Sequence, residues 1–270
     1  MSHAKIVANI ITRSSAVAIT LTFAEIICPI NPNKQTATSE SPVNFPSTSF
    51  IQFLGSGSST GCPRTSCVFP SPLPSSSRRC ETSHAALIGD PRNNKDHRGN
   101  PSLLISHSPQ GSENRTNVII DCGKTFRDSL LRVRPSIASL DGLVLTHEHM
   151  DAYGGLDDIR GVQLHSSPPL PVNLSEKTME VVGRAFPYLV PKDELGKKGE
   201  SGCKNCGEEV KRHVSSLAFT VFSPFASFFP VPSSTFSMYP LPFVHGEDCT
   251  CYGFAFGGKV RFGEERSDEL

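Results

Sequence analysis

Between residues 101 and 149, short apolar runs alternate with polar turns in the order strand, turn, strand, helix, strand. Arg98–Ile105 and Val118–Gly123 contain two of the strands, and Leu143–Leu145 the third. Phe126, Leu130, Leu131 and Val133 supply the apolar side of a helix predicted between Lys124 and Arg134. Upstream, Ser49–Leu54 predicts a strand entering the Gly55-Ser56-Gly57 turn. Downstream, Gly155–Leu164 predicts a second helix, with Asp157 and Asp158 near its positive N-terminal end. Ser175–Phe186 predicts an amphipathic helix capped by Ser175, with Val181, Val182 and Phe186 inward. Val172 and Asn173 start a strand before it, and Ser216–Phe229 carries enough Phe and Val to form another. Strands alternating with helices predict a layered α/β domain, and no internal repeat is present.

Composition modifies this picture mainly at the ends. A hydrophobic fraction of 37% and 22 prolines in 270 residues imply that much of the chain is loop or tail. Residues 1–48 are read as an extension, 49–258 as the domain with a surface insertion at about 191–213, and 259–270 as a divergent tail. Residues 31–48 and Pro70–Arg79 are Pro/Ser-rich linker or loop. Residues 1–24 contain Lys5 and Arg13, no acid, and several Ser and Thr, the composition of a transit peptide. Ala16–Phe23 would serve equally as the apolar region of a secretory signal, and Ser267–Leu270 resembles the ER retrieval address. Organelle, ER and cytosol therefore all stay open. Ala16–Ile30, interrupted by Glu25, is too short and polar for a membrane span. Lys+Arg and Asp+Glu each number 26, so no net field favours nucleic acid or an anionic membrane, and the expected partner is a small-molecule or nucleotide substrate. Nine cysteines, odd in number and clustered near histidines, favour thiols or metal ligands over a secreted disulfide framework.

The chemistry concentrates in Leu143-Val-Leu-Thr-His147-Glu-His149-Met-Asp151-Ala-Tyr-Gly-Gly155. His147, His149 and Asp151 occupy alternate positions after a buried-looking strand, and such side chains project to one side of an extended segment. Two imidazoles and a carboxylate converging there suit zinc or a similar ion. Cys62, Cys67, Cys80 and His84 are further ligand types gathered after the first strand, and Cys203-Lys-Asn-Cys206 with His213 has knuckle-like spacing. Cys249 and Cys251 fall on one face of a strand, and Cys122 is read as a core thiol.

His-x-His-x-Asp is the motif of the metallo-β-lactamase superfamily, and the chain resembles its branch of phosphoribosyl cyclic phosphodiesterases and tRNA 3′-processing nucleases. Phe53–Pro63, Arg98–Ile105, Val118–Gly123, Gly154–Arg160 and Pro240–Gly246 match in order and spacing, covering roughly residues 50 to 258. The resemblance implies a four-layer αβ/βα sandwich whose second half is truncated here. It implies a metal set of His147, His149 and His245, with Asp151 serving a second ion or acting as a base and Asp121 orienting a ligand histidine. His147, His149 and Asp151 would form the catalytic group. The cofactor would be one zinc, or two, with manganese as the alternative ion. Cysteines of related phosphodiesterases hold a structural zinc, which would fall here to Cys62, Cys67, Cys80 and His84. Ala152 stands where many members carry a histidine, and the chain ends 25 residues after His245, before the family's bridging aspartate and final histidine. A sheet face left bare in this way would need a partner surface or a second copy.

Three functions follow. The first is a zinc-dependent phosphodiesterase on a small or nucleotide-like substrate, because a bound ion lowers the pKa of its water from about 15.7 towards about 7. The second is a thioester or lactone hydrolase using the same hydroxide. The third is a non-catalytic, truncated metal-binding paralogue.

Overall fold

A mixed sheet of six strands carries the site. A computed structural model of the chain describes residues 5–9, 20–25, 49–69, 80–109, 115–163, 168–190 and 214–256. A short antiparallel pair, β1 (Lys5–Asn9) with β2 (Thr20–Glu25), forms its own sheet. The main sheet has the order β3 (Phe50–Gly55), β4 (Ser102–His107), β5 (Thr116–Ile120), β6 (Gly142–Val144), β7 (Leu170–Leu174), β8 (Leu217–Val221). The first three strands are antiparallel, and β5 through β8 are parallel. Parallel neighbours need crossovers. Here α3 (Phe126–Val133) and α5 (Glu176–Ala185) supply two of them, after β5 and after β7. Two short helices, α1 (Thr65–Val68) and α2 (Glu81–Ala85), lie in the long connection between β3 and β4, and α4 (Met150–Tyr153) follows β6.

Alternation along the strands builds two cores. Leu104, Ile119, Leu143, Leu145, Val172 and Leu174 face the helices and pack with Phe126, Leu156 and Val182. Their neighbours Ile105, Val118 and Val144 face the other way, onto Met238 and Tyr252. Those two residues belong to β9 (Met238–His245) and β10 (Cys249–Phe256), an antiparallel hairpin forming a second sheet. The layers run helices, six-stranded sheet, hairpin, and no helix follows the hairpin among the described residues.

Three expectations need correction. Leu131 does not join the buried side of α3. Phe126, Leu130 and Val133 share a face at helical spacing, whereas Leu131 rotates off it and is 56% exposed. The helix expected over Gly155–Leu164 is instead a 3-10 helix, Leu156–Gly161. Ser215 explains this: its hydroxyl donates to the Leu156 and Asp157 carbonyls and accepts from the Arg160 N–H, which an α-helix would direct to Leu156. The strand expected over Ser216–Phe229 stops at Val221. Pro224 has no N–H for a ladder, and Phe225 sits at φ +59°. The 31–48 linker, the 191–213 insertion with Cys203, Cys206 and His213, and the 259–270 tail lie outside the described residues.

Ser175 caps α5 as the sequence predicts, its Oγ accepting from the Thr178 N–H at 3.2 Å. Ser175→Ala should therefore cost about 1 kcal/mol in urea-denaturation stability. An unchanged midpoint would show that the cap contributes nothing.

Candidate metal centre

The loop after β6 is held in place by backbone bonds before any side chain acts. Leu145 N–H donates to Asn173 O, which carries the strand one residue further, and Asp121 N–H donates to Val144 O. Cys122 N–H donates to Ala152 O, and Gly155 N–H returns to Cys122 O, both at 2.7 Å. The approach is so close that a Cβ on Gly123 would overlap the Asp151 carbonyl oxygen. The His-x-His segment is thereby clamped between the end of β5 and the start of α4.

His147, His149 and His245 converge, with ligand nitrogens all within 4.8 Å of one another. Ring centroids are 4.7 Å apart for His147–His149, 5.0 Å for His147–His245 and 5.3 Å for His149–His245. Two nitrogens on one zinc, each at about 2.0–2.1 Å, can be at most about 4.2 Å apart. The 4.8 Å outer spacing exceeds that limit, so the rings would have to draw inward to share one ion. His149 and His245 are exposed, whereas His147 is buried.

A hydrogen-bond chain determines which nitrogen of His147 is available. Thr146 N–H donates to Asp121 Oδ1 at 2.8 Å, and Thr146 Oγ1 donates to Asp121 Oδ2 at 2.7 Å. With its proton so committed, Thr146 Oγ1 accepts from His147 Nδ1–H at 2.7 Å. The ring proton therefore resides on Nδ1 and the Nε2 lone pair points into the site. Nε2 is buried with no hydrogen-bond partner, a costly arrangement for a nitrogen lone pair unless a cation occupies it. Burial also holds the His147 pKa below its usual value, a lowering reinforced by the other two histidines and opposed by Asp151, so the neutral ring is favoured.

The surrounding acids divide by environment. Asp151 Oδ1 stands 4.0 Å from His147 Nε2, beside the three-histidine group and not within it. Asp121, in the left-handed region at φ +64°, is buried, and burial pushes its carboxyl up to about 7 against the two Thr146 hydrogen bonds. Burial would raise Glu148 too, but the Lys177 ammonium 2.6 Å away outweighs it and holds the group low. Cys251 Sγ lies 3.8 Å from His147 Nδ1, and Tyr252 N–H donates to Thr146 O at 2.9 Å, joining β10 to the metal loop.

Of the residues predicted from sequence, the structure brings His147, His149 and His245 together and places Asp151 at their side. Asp121 reaches His147 through Thr146, a residue whose role the sequence reading missed. Cys62, Cys67, Cys80 and His84 do not converge comparably; among the described residues the histidines are the one such ligand group. The Cys62 backbone is paired with Arg98, and Cys80 donates its S–H to Ser83 Oγ at the start of α2. Cys67 and Cys80 approach one another through their side chains, with Cys62 and His84 outside any such ligand group. Cys122 is a fully buried thiol, as predicted, and Cys249 and Cys251 sit two apart on β10.

Comparison with known proteins agrees with the fold. Residues 116–262 match the sequence pattern of the beta-lactamase superfamily domain. An octanoyltransferase of Porphyromonas gingivalis is 31% identical over 140 residues, 52% of this chain and 23% of that protein. A solved structure described as a new diphosphatase from the PhnP family superposes with a TM-score of 0.52 at 24% identity, over 77% of this chain and 62% of that one. Human tRNase Z, short form, superposes with a TM-score of 0.41 at 16% identity, over 78% of this chain and 66% of that one. The chain spans less than two thirds of the diphosphatase and about a quarter of the octanoyltransferase.

Thr146→Val removes the relay while keeping the shape, and should weaken zinc binding by about 10-fold or more. Equal affinity in equilibrium dialysis would exclude the relay. In the metal-free protein, Asp121 titrates near 7 folded against about 3.9 unfolded. Its contribution to stability is therefore fully present below about pH 4 and lost as pH rises through about 7. The melting temperature of the wild type relative to Asp121→Asn should fall across that window and then level off. A pH-independent difference would contradict the assignment.

Proposed function

The chain belongs to the metallo-β-lactamase superfamily of hydrolases, and from that membership we propose that it hydrolyses a phosphodiester of a small or nucleotide-like substrate, with one divalent ion held by His147, His149 and His245. The observation that carries this reading is the buried, unpartnered Nε2 of His147, aimed at two further imidazoles. Three imidazoles suit zinc among the common ions and leave one coordination position open. A bound divalent ion supplies Lewis acidity and makes water more acidic.

The protein's own groups orient and move protons around that position. Asp121 and Thr146 keep the His147 proton on Nδ1, which would leave Nε2 available to hold the ion. Asp151, 4.0 Å from that nitrogen, is placed to accept a proton from the attacking water. Ala152 is buried and offers no ligand where many relatives carry a histidine, which favours a single ion. The zero net charge suits a small substrate better than a long polyanion.

The purified protein should hold about one equivalent of zinc and turn over bis-p-nitrophenyl phosphate. His147→Ala should lose both the ion and the turnover. Turnover confined to thioester or lactone probes would transfer the chemistry to acyl substrates. Full zinc occupancy with no turnover of any of these probes would identify a non-catalytic metal-binding protein and overturn the proposal.

A further inference from the structure

The third ligand poses a mechanical problem. His147 and His149 belong to a loop rooted in the six-stranded sheet, whereas His245 ends β9, in a sheet that shares no ladder with it. Hairpin ends fray. This one turns through Gly246 at φ +75°, and Val244 beside the ligand is 90% exposed. The bond from Tyr252 and the contact from Cys251 hold β10 to the metal loop from within the strand, but neither reaches the turn that follows His245.

Lys177 does reach it. From the first turn of α5, its Nζ donates to the Asp248 carbonyl at 2.7 Å, in that turn, and pairs with Glu148 Oε1 at 2.6 Å. Glu148 lies between the two loop histidines, and its side chain is only 10% exposed. Asp248 precedes Cys249, which is in register with His245. One ammonium therefore bonds both the segment carrying the first two ligands and the turn carrying the third. The helix beneath it is fixed by the Ser175 cap.

We infer that Lys177 is the positioning residue of the third ligand, its bridge between Glu148 and the Asp248 carbonyl setting His245 against His147 and His149. This rests on the metal-binding reading above. The Lys177 side chain is 55% exposed, and a pair with so exposed a member is worth little to global stability. Ligand geometry, by contrast, tolerates errors of only about 0.5 Å. Lys177 should consequently matter to the ion far more than to the fold.

Cobalt(II) titration of the full chain tests this, read by visible absorption and by competition with zinc. Lys177→Met should weaken binding about 10-fold or more and alter the cobalt spectrum, with the apo melting temperature within about 2 °C of wild type. Lys177→Arg, which keeps a charged donor, should recover most of the affinity. Wild-type affinity and spectrum in Lys177→Met overturn the inference. So does a loss of affinity matched by an equal loss of apo stability, since that is a merely structural role. Should Lys177→Met fail to fold, Glu148→Gln carries the same test: weaker binding with a changed spectrum supports the bridge, and no change overturns it. A wild-type chain that takes up no cobalt overturns both this inference and the metal reading, whereas wild-type uptake with unaltered variants overturns this inference alone.

Discussion

The bond from Thr146 to Asp121 is the constraint from which the centre is built. Thr146 is the first residue past the buried strand extension, and it must place a backbone N–H, a hydroxyl and a following imidazole at once. Asp121 accepts from both the N–H and the hydroxyl, which requires a residue able to adopt φ +64° at the end of β5. Aspartate tolerates that region better than most side chains. The histidine that follows is thereby fixed in orientation and in tautomer, and the other two imidazoles need only approach it. In this respect His147 is the buried reference, and His149 and His245 are the exposed members of the set.

Burial contributes a second condition. The same low-polarity surroundings that keep His147 neutral also oppose charge on Asp121. A neutral imidazole is a better ligand than a charged one, so the cost is placed where it aids binding. Asp151 and Glu148 stand at the margin of this region, one facing the histidines and the other drawn away towards Lys177. Two carboxylates within four positions of sequence thus have separate tasks because one of them has a cationic partner.

Much of this was legible in the amino-acid order. The apolar run before His147 and the Gly-Gly after it specify a buried strand giving way to a loop, whereas Asp151 falls in α4 and not on the extended segment that its alternation with His147 and His149 implied. Ser175 declared its helix because capping is a local matter. Residues whose meaning depends on distant neighbours were not legible. Thr146 reads as the end of a strand until Asp121 is beside it, and Lys177 reads as one more surface charge until the hairpin turn arrives. Ser215 likewise changes the type of a helix that lies more than fifty positions upstream. The four ligand-type residues near the start of the domain are a partial case: Cys67 and Cys80 approach one another, but no ligand group of three forms there among the described residues.

The divided scaffold has a thermodynamic consequence. Because the hairpin and the main sheet exchange no ladder hydrogen bonds, an ion gripped from both sides acts as a reversible cross-link between them. Whatever free energy the ion releases on coordination is shared with the docking of β9 and β10 onto Val118 and Val144, and by mass action a better-docked hairpin raises the apparent affinity in return. Mineral supply and tertiary integrity are then two readings of one equilibrium.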